Sequence, residues 1–250
     1  MLRDFSRERF DIVLQAGQSN ADHSGYGKTD RPFFPCGDIW YLTKDLTIVP
    51  AVEWINGNQI ESNFSLSFAE NYLRSGKLSP GRKVLILRAA VGGTGFLDHR
   101  WGPEDDLFLQ MLRMIETARS LNPENRFVAF IWHQGETDAL LNADFQTHYD
   151  HLHTLVTLTR NAMGDPTVPF LAADFVHDWI KDNRSISEPV RSAIRSVCEA
   201  LPHAGFVETD GLRSNNQDCG NLDTIHFCRD ALYYLGDRYF EQYQRLTSTT

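Results

Sequence analysis

The chain has 250 residues, 42% hydrophobic and 23% charged, which is typical of one globular domain, and we predict a single domain over residues 1–250. The formal net charge is −9 without a Lys/Arg cluster, which argues against nucleic acid or an anionic membrane as a partner. No apolar run approaches the roughly 20 residues that cross a bilayer, and the start, MLRDFSRERF, lacks the apolar stretch of a secretory signal. We therefore expect a cytoplasmic protein, or a secreted one if a leader has been removed.

Short apolar runs alternate with longer segments of helical periodicity, the pattern that buries a parallel sheet between two layers of helices. The runs are rich in Val, Ile and Leu, as expected of strands that are covered on both faces. They are DIVLQAG (11–17), KVLILRAA (83–90), RFVAFIWHQG (126–135), VPFLAADFV (168–176) and GFVETDG (205–211).

The segments between these runs carry apolar residues at helical spacing. The predicted helices lie in 63–76, 105–121, 143–164, 188–201 and 231–246. Residues 28–61 contain several prolines, glycines and aromatic residues, and we predict irregular structure or short hairpins that wall a pocket. The fold class is α/β, a three-layer α/β/α sandwich around a mostly parallel sheet of about five strands.

Four blocks with residues suited to catalysis follow the predicted strands or lie near the end of the chain. In an open parallel sheet, the loops that leave the carboxyl ends of the strands form the ligand crevice. The blocks are GQSN (17–20), VGGTG (91–95), WHQGETD (132–138) and LDTIHF (222–227).

Ser19 follows the first apolar run at a sharp turn that Gly17 permits. A helix that starts there would direct free N–H groups and a positive dipole end at an anion, which favours a nucleophile beside an oxyanion site. Serine is also a preferred N-cap, so this stretch alone leaves both interpretations open. Asp223 and His226 stand three residues apart, close enough for the carboxylate to accept the imidazole Nδ1–H and leave Nε2 as a base.

Acyl transfer also needs donors directed at the developing oxyanion. The candidates are the backbone N–H of Gly93 or Gly92, the N–H of Ser19 and the side-chain amide of Gln134. Each has an ordinary alternative, because GGT is also a common flexible turn and Gln134 is equally suited to bond a neighbouring strand end.

In their order and chain positions, GQSN, GGT, WHQGETD and DTIHF resemble the SGNH hydrolase superfamily. The branch they resemble most contains the sialate O-acetylesterase-like group and the acetylxylan esterase-like carbohydrate esterases of family six. This resemblance implies a flavodoxin-like fold and hydrolysis of an O-acetyl ester by a catalytic triad. It assigns Ser19 as nucleophile, His226 as base and Asp223 as orienting acid. It also implies an oxyanion hole formed by Ser19, Gly93 and Gln134. The supporting residues that it implies are Gln18, Asn20, Gly92 and Glu136.

Two residues of the third block, Gln134 and Glu136, have roles that the sequence leaves open. The wider superfamily has asparagine where this chain has Gln134, so the longer side chain leaves the geometry of this donor open. Glu136 is expected to brace the loop or the Ser19 region by hydrogen bonding. The alternative is that it competes with Asp223 as the acid paired to His226.

We therefore predict a serine esterase that removes O-acetyl groups from a carbohydrate, such as an acetylated sugar, a sialic acid or xylan, through an acetyl-enzyme. Its partner is a small-molecule or oligosaccharide acetyl ester, and the chemistry requires no cofactor or metal. The alternatives are a lipid or thioester hydrolase on the same scaffold and a carbohydrate-binding module without turnover. An α/β-hydrolase is discounted, because its nucleophile follows several strands whereas Ser19 follows the first.

Several other residues have both an ordinary and a functional interpretation. Trp132 is expected in the core, and Arg88 and Arg100 are candidates to meet an acidic sugar, although a solvated arginine is commoner.

The stretch HYDHLH (148–153) suggests a metal site, but its three histidines do not converge on a helix, and a polar helix surface is expected. Cys219 and Cys228 are interpreted as free thiols, with a disulfide as the alternative in an oxidising compartment.

Overall fold

The structure is a computed structural model that describes residues 4–248. Its strands are β1 (Arg9–Gly17), β2 (Ile39–Leu42), β3 (Ile48–Pro50), β4 (Trp54–Asn56), β5 (Gln59–Glu61), β6 (Arg82–Arg88), β7 (Arg126–His133), β8 (Phe170–Ala173) and β9 (Ala204–Val207). Its helices are α1 (Phe64–Arg74), α2 (Asp106–Leu121), α3 (Glu136–Leu140), α4 (Phe145–Met163), α5 (His177–Ala200), α6 (Asn215–Cys219) and α7 (Arg229–Thr247). A short 3-10 turn, Ser19–Ala21, follows β1.

The central sheet has seven strands in the order β3-β2-β6-β1-β7-β8-β9, and β4 pairs with β5 in a separate hairpin. All neighbours in the large sheet are parallel except β2 and β3. The predicted strands are confirmed as β1, β6, β7, β8 and β9. Residues 28–61 form short hairpins, as expected, and β2 with β3 is one of them. The sheet is larger than the predicted five strands because this hairpin joins it through the parallel pairing of β2 with β6. At four and three residues, β2 and β3 are too short to show a strand period.

Helices cover the sheet in two groups, which completes the three layers. α1 packs against α7, and α4 packs against both α2 and α5. Each predicted helix is present, but α5 begins at His177 and not at Glu188. Pro189 lies inside α5, and the helical geometry is interrupted at Asn183. The predicted start rested on apolar residues at helical spacing, and the polar stretch KDNRS (181–185) interrupts that spacing within α5.

A close approach of β1 and β7 determines how β1 ends. Gly17 has a φ of 128°, and a Cβ at this position would overlap the carbonyl group of His133. Gln18 N donates to the same carbonyl at 2.9 Å. Only glycine fits this conformation and this space, so Gly17 allows the chain to leave the sheet abruptly and to place Ser19 at its carboxyl edge.

Asp11, near the start of β1, is a fully buried carboxylate at the opposite edge of the sheet. It accepts hydrogen bonds from Arg82 Nε at 2.6 Å, Arg126 Nε at 2.7 Å and Tyr72 OH at 2.6 Å. Burial by itself raises the pKa of Asp11, but the hydrogen bonds from these three groups outweigh it, so this pKa lies below its usual value.

Asp11→Asn is expected to lower the free energy of unfolding at pH 7 by about 3 kcal/mol, because two guanidinium groups lose their counter-charge. Since the folded-state pKa of Asp11 is depressed, its stabilisation exists above the unfolded-state value near 3.8 and is lost as the pH falls through the folded-state pKa. The difference between wild type and variant should therefore shrink below about pH 4. Urea denaturation at pH 7 and pH 3 measures both effects, and equal stabilities at pH 7 would contradict the expectation.

Candidate active site

Ser19 opens the 3-10 turn at the carboxyl end of β1. The N-cap of this turn is Gln18, so the interpretation of Ser19 as an N-cap is wrong. The hydroxyl is directed elsewhere: Ser19 Oγ lies 2.9 Å from His226 Nε2.

Asp223 and His226 lie in the loop between α6 and α7, and their side chains meet as the spacing predicts. His226 Nδ1 is 2.9 Å from both carboxylate oxygens of Asp223. Burial by itself raises the pKa of Asp223, but hydrogen bonds from His226 and Asn215 outweigh it and hold this pKa below its usual value. An ionised carboxylate only accepts hydrogen bonds, so Nδ1 carries the proton and the Nε2 lone pair faces Ser19. We call these three side chains the serine array.

Asn215, at the start of α6, supports Asp223 from the other side and was not predicted. Its Nδ2 donates to Asp223 Oδ2 at 2.9 Å and to Ser24 O at 2.8 Å. Its backbone N–H donates to His226 O at 2.9 Å. No sequence motif distinguishes this asparagine, because the contact depends on how α6 packs beside the loop.

Asn20 connects the turn that carries Ser19 to the loop that carries His226. Its Nδ2 donates to Ile225 O at 3.0 Å, and its Oδ1 accepts from Phe227 N at 3.1 Å. Asn20 therefore binds the residues on both sides of His226. The same Nδ2 donates to Glu136 Oε1 at 2.8 Å. Asn20 is fully buried, and leaving these groups unpaired would be costly.

Glu136 acts on the serine array through Asn20. Burial raises the pKa of Glu136, and its Oε2 makes no hydrogen bond within residues 4–248. Because His226 Nδ1 is already bound by both oxygens of Asp223, the geometry favours the bracing role for Glu136 over competition for His226. Gln18 braces the same loop, since its Oε1 accepts from Gly135 N at 3.3 Å and Thr137 N at 3.2 Å.

The segment after β6, Val91–Leu97, runs beside Ser19, and we call it the glycine loop. Val91 N donates to Gly17 O at 3.0 Å, and a Cβ at Gly92 would lie 3.5 Å from Ser19 Cβ. Gly93 has a φ of 68° and open space where a side chain would be. Among the described residues, the backbone N–H groups of Ser19, Gly92 and Gly93 have no hydrogen-bond acceptor. They are therefore available to a ligand oxygen.

Gln134 is buried below the glycine loop. Its Nε2 donates to Asp138 Oδ2 at 2.8 Å and to Thr94 O at 3.3 Å. A side-chain amide has two hydrogens, and both are directed to these acceptors and not to the space beside Ser19. The role of Gln134 as an oxyanion donor stays a prediction.

A charged cluster lies next to the site, between the Ser19 turn and the glycine loop. Arg88 Nη2 donates to Asp22 Oδ1 at 2.6 Å, and Lys44 Nζ lies 3.8 Å from Asp22 Oδ2 while it donates to Ala90 O at 2.8 Å. Burial, Arg88 and Lys44 lower the pKa of His23 to about 3. His23 is therefore neutral at physiological pH, and the cluster formed by Asp22, Lys44 and Arg88 has an excess of one positive charge.

The β4–β5 hairpin borders the same cluster. The half-exposed Trp54 stacks on His23, with ring centroids 5.2 Å apart. Ser62 N donates to Gly25 O at 2.8 Å, which fastens the end of the hairpin to the segment after Ser19. A cavity of about 470 Å³ lies where the hairpin meets the loop before Asp223, with Tyr26, Ile60 and Asn221 in its lining. The hairpin therefore walls a pocket, as we predicted for this region.

Other predicted residues lie apart from the serine array. Trp132 is confirmed in the core, whereas Arg100 pairs with Asp106 at 2.8 Å on the surface. The expectation of a polar helix surface is wrong for His148, which is buried.

Cys219 and Cys228 are both free thiols. Within residues 4–248, no group of three or more His, Cys, Asp or Glu side chains is arranged to hold a metal ion. None of the described helices is both long and apolar enough to cross a membrane.

The central parallel sheet between two layers of helices is the fold of SGNH-type hydrolases, and comparison with solved structures agrees. The crystal structure of NanS superposes with a TM-score of 0.83 at 19% identity, covering 97% of this chain and 99% of that one. A protein of Arabidopsis thaliana superposes with a TM-score of 0.73 at 19% identity, covering 94% of this chain and 98% of that one. At these identities the structural likeness establishes the fold alone.

The family model for carbohydrate esterases described as sialic acid-specific acetylesterases matches residues 9–245. The chain belongs to this family, and it is a carboxylic ester hydrolase of the carbohydrate acetylesterase type. A probable 9-O-acetyl-N-acetylneuraminic acid deacetylase of Escherichia coli strain K12 is 33% identical over 61 residues. That match spans 24% of this chain and 18% of the relative.

We expect Asp223→Asn to slow the reaction of Ser19 with a fluorophosphonate by about 10³-fold or more, because the amide favours the wrong imidazole tautomer. Glu136→Gln keeps an acceptor for Asn20 and removes a carboxylate whose pKa is already raised, so it should slow labelling less than tenfold by a rough estimate. Intact-mass spectrometry against time gives both rates. The reverse ranking would mean that Glu136 is the acid of the array.

Proposed function

We propose that the chain removes O-acetyl groups from a carbohydrate with Ser19 as nucleophile, His226 as general base and Asp223 as its orienting acid. The observation that carries the proposal is the continuous hydrogen-bonded array from Ser19 Oγ through His226 to the Asp223 carboxylate. Each neighbour is at 2.9 Å, within the reach that proton transfer requires.

The proposed reaction proceeds in two steps. His226 Nε2 takes the hydroxyl proton as Ser19 Oγ attacks the acetyl carbonyl, and the imidazolium then returns the proton to the departing sugar alcohol. In the second step the same Nε2 takes a proton from water, which attacks the acetyl carbonyl of the acetyl-enzyme. The imidazolium then returns this proton to Ser19 Oγ as the bond from Oγ to the acetyl carbon breaks and acetate leaves. Asp223 stays ionised throughout and stabilises the imidazolium, which is consistent with its depressed pKa.

The carbonyl oxygen becomes an oxyanion in both steps and needs donors that are already oriented. The free N–H groups of Ser19 and of Gly93 or Gly92 support a site for it between the Ser19 turn and the glycine loop. Backbone donors require no side-chain ordering at the moment of reaction, because the surrounding loops already fix them. Gln134 is a third donor in this proposal only if its amide gives up the weaker bond to Thr94 O.

We further propose an acidic sugar, an O-acetylated sialic acid, as the substrate. The excess positive charge of the cluster formed by Asp22, Lys44 and Arg88 favours a carboxylate beside the Ser19 turn. The half-exposed ring of Trp54 supplies an apolar face suited to a sugar ring. The family description and the name of the Escherichia coli relative support the same substrate class.

The first test compares initial rates on p-nitrophenyl acetate and p-nitrophenyl octanoate for wild type and Ser19→Ala. We expect the rate on p-nitrophenyl acetate to be about 10³-fold or more lower in Ser19→Ala than in wild type. We also expect wild type to hydrolyse p-nitrophenyl octanoate more slowly than p-nitrophenyl acetate. A preference for octanoate would keep the nucleophile and move the substrate to lipids. Absence of Ser19-dependent turnover of either ester would contradict the proposed function.

The second test addresses the acidic sugar. Lys44→Gln should raise KM for O-acetylated N-acetylneuraminic acid about tenfold, the value of one charge-assisted hydrogen bond, and leave the kinetics on p-nitrophenyl acetate unchanged. Arg100→Gln is the matched control, because Arg100 is paired with Asp106 on the surface. This variant should leave the kinetics on both esters unchanged. Equal effects of Lys44→Gln on both esters would argue against a carboxylate contact.

A further inference from the structure

Asp138, in α3, is a buried carboxylate outside the serine array. Its Oδ1 accepts hydrogen bonds from the backbone N–H groups of Phe96 and Leu97, both at 2.9 Å. Its Oδ2 accepts one from Gln134 Nε2 at 2.8 Å. One carboxylate therefore holds both the end of the glycine loop and the amide of Gln134.

His148, from α4, is a further partner of this carboxylate. Its Nδ1 lies 3.4 Å from Asp138 Oδ2, and both side chains are buried. Burial by itself raises the pKa of Asp138, but the interactions with His148, Leu97 and Gln134 outweigh it and this pKa lies below its usual value. Asp138 is therefore ionised at neutral pH and acts as an acceptor only, which matches the donors around it.

The glycine loop makes direct contact with this carboxylate. A Cβ at Gly95 would lie 2.6 Å from Asp138 Oδ1, so the backbone approaches as closely as a glycine allows. Within the loop, Thr94 Oγ1 donates to Val91 O at 2.7 Å and accepts from Trp101 Nε1 at 2.9 Å. These bonds make the segment that flanks Gly93 one rigid unit. The Asp138 carboxylate attaches this unit to α3.

We propose that Asp138 is a positioning residue for the oxyanion hole: it sets the distance between the glycine loop and Ser19 and fixes the orientation of Gln134. This inference rests on the proposed function. Phe96 is only three residues beyond Gly93. A change at the Asp138 carboxylate that moves the backbone of Phe96 therefore also moves the N–H group of Gly93. An oxyanion donor that is displaced by a fraction of an ångström loses much of its effect on the transition state and little of its effect on substrate binding.

Asp138→Asn tests the proposal with little change of shape. An amide has one oxygen, so its NH2 group must face Gln134 or the backbone donors, and the loop shifts away. We expect kcat on p-nitrophenyl acetate to fall about 10- to 100-fold with KM changed less than threefold, and the pH midpoint of kcat/KM to stay unchanged, because the serine array is untouched.

Asp11→Asn is the matched control, because it also removes a buried carboxylate that accepts several hydrogen bonds, but at the opposite edge of the sheet. It should lower the thermal midpoint and leave kcat unchanged at temperatures where the protein is folded. A merely structural role for Asp138 predicts the same behaviour for both variants.

Gly95→Ala is the second variant, for use if Asp138→Asn does not fold. Its added Cβ would overlap Asp138 Oδ1 and displace the glycine loop, while the Asp138 carboxylate stays in place with its charge paired. The matched control is Gly37→Ala, since a Cβ at Gly37 meets nothing within 4 Å. A loss of kcat of about tenfold in Gly95→Ala alone, with KM retained, supports the proposal.

The outcomes separate this inference from the proposed function. Wild-type turnover that depends on Ser19, together with a folded Asp138→Asn whose kcat stays within about twofold of wild type, would overturn the positioning role alone. If Asp138→Asn is unfolded, an unchanged kcat in Gly95→Ala overturns it equally. Absence of Ser19-dependent turnover in wild type would overturn the proposed function and this inference together.

Discussion

The parallel pairing of β1 with both β6 and β7 is the constraint on which the site depends. Because the three strands run in the same direction side by side, the Ser19 turn, the glycine loop and the loop after β7 all leave from one edge of the sheet. Gly17 permits the closest approach within this group, since its missing side chain leaves room for the carbonyl of His133. The backbone thus brings the nucleophile and its donors together before any side chain contributes.

Buried polar side chains then connect these loops. Asn20 joins the Ser19 turn to both neighbours of His226, although Ser19 and His226 are 207 residues apart in the chain. Gln18 joins the Ser19 turn to the loop after β7, and Asp138, in α3, joins that region to the glycine loop. Each of these groups is buried, and breaking one bond leaves a polar atom without water, so the loops are ordered as a unit.

Much of the fold could be predicted because the long strands are buried on both faces and read as continuous apolar runs. The place of β2 in the central sheet was not predicted, because four residues show no period within a segment rich in proline and glycine. His148 was assigned to a polar surface because helical spacing shows which residues share a face and not which polar residue finds a buried partner. Its partner, Asp138, comes from another element, and no pattern within α4 indicates it.

The sequence by itself determined the succession of strands and helices, the sharp turn at Gly17, and the residue types that bring Ser19, Asp223 and His226 into consideration. These properties are local, since they depend on residues within a few positions of one another. Only the tertiary structure decided that the cap of the turn is Gln18, that both oxygens of Asp223 face His226, and that the amide of Gln134 is held by a neighbouring carboxylate. Those choices depend on how separate elements pack, because hydrogen bonds between distant residues form only when the sheet and its helices bring them within 3 Å or so.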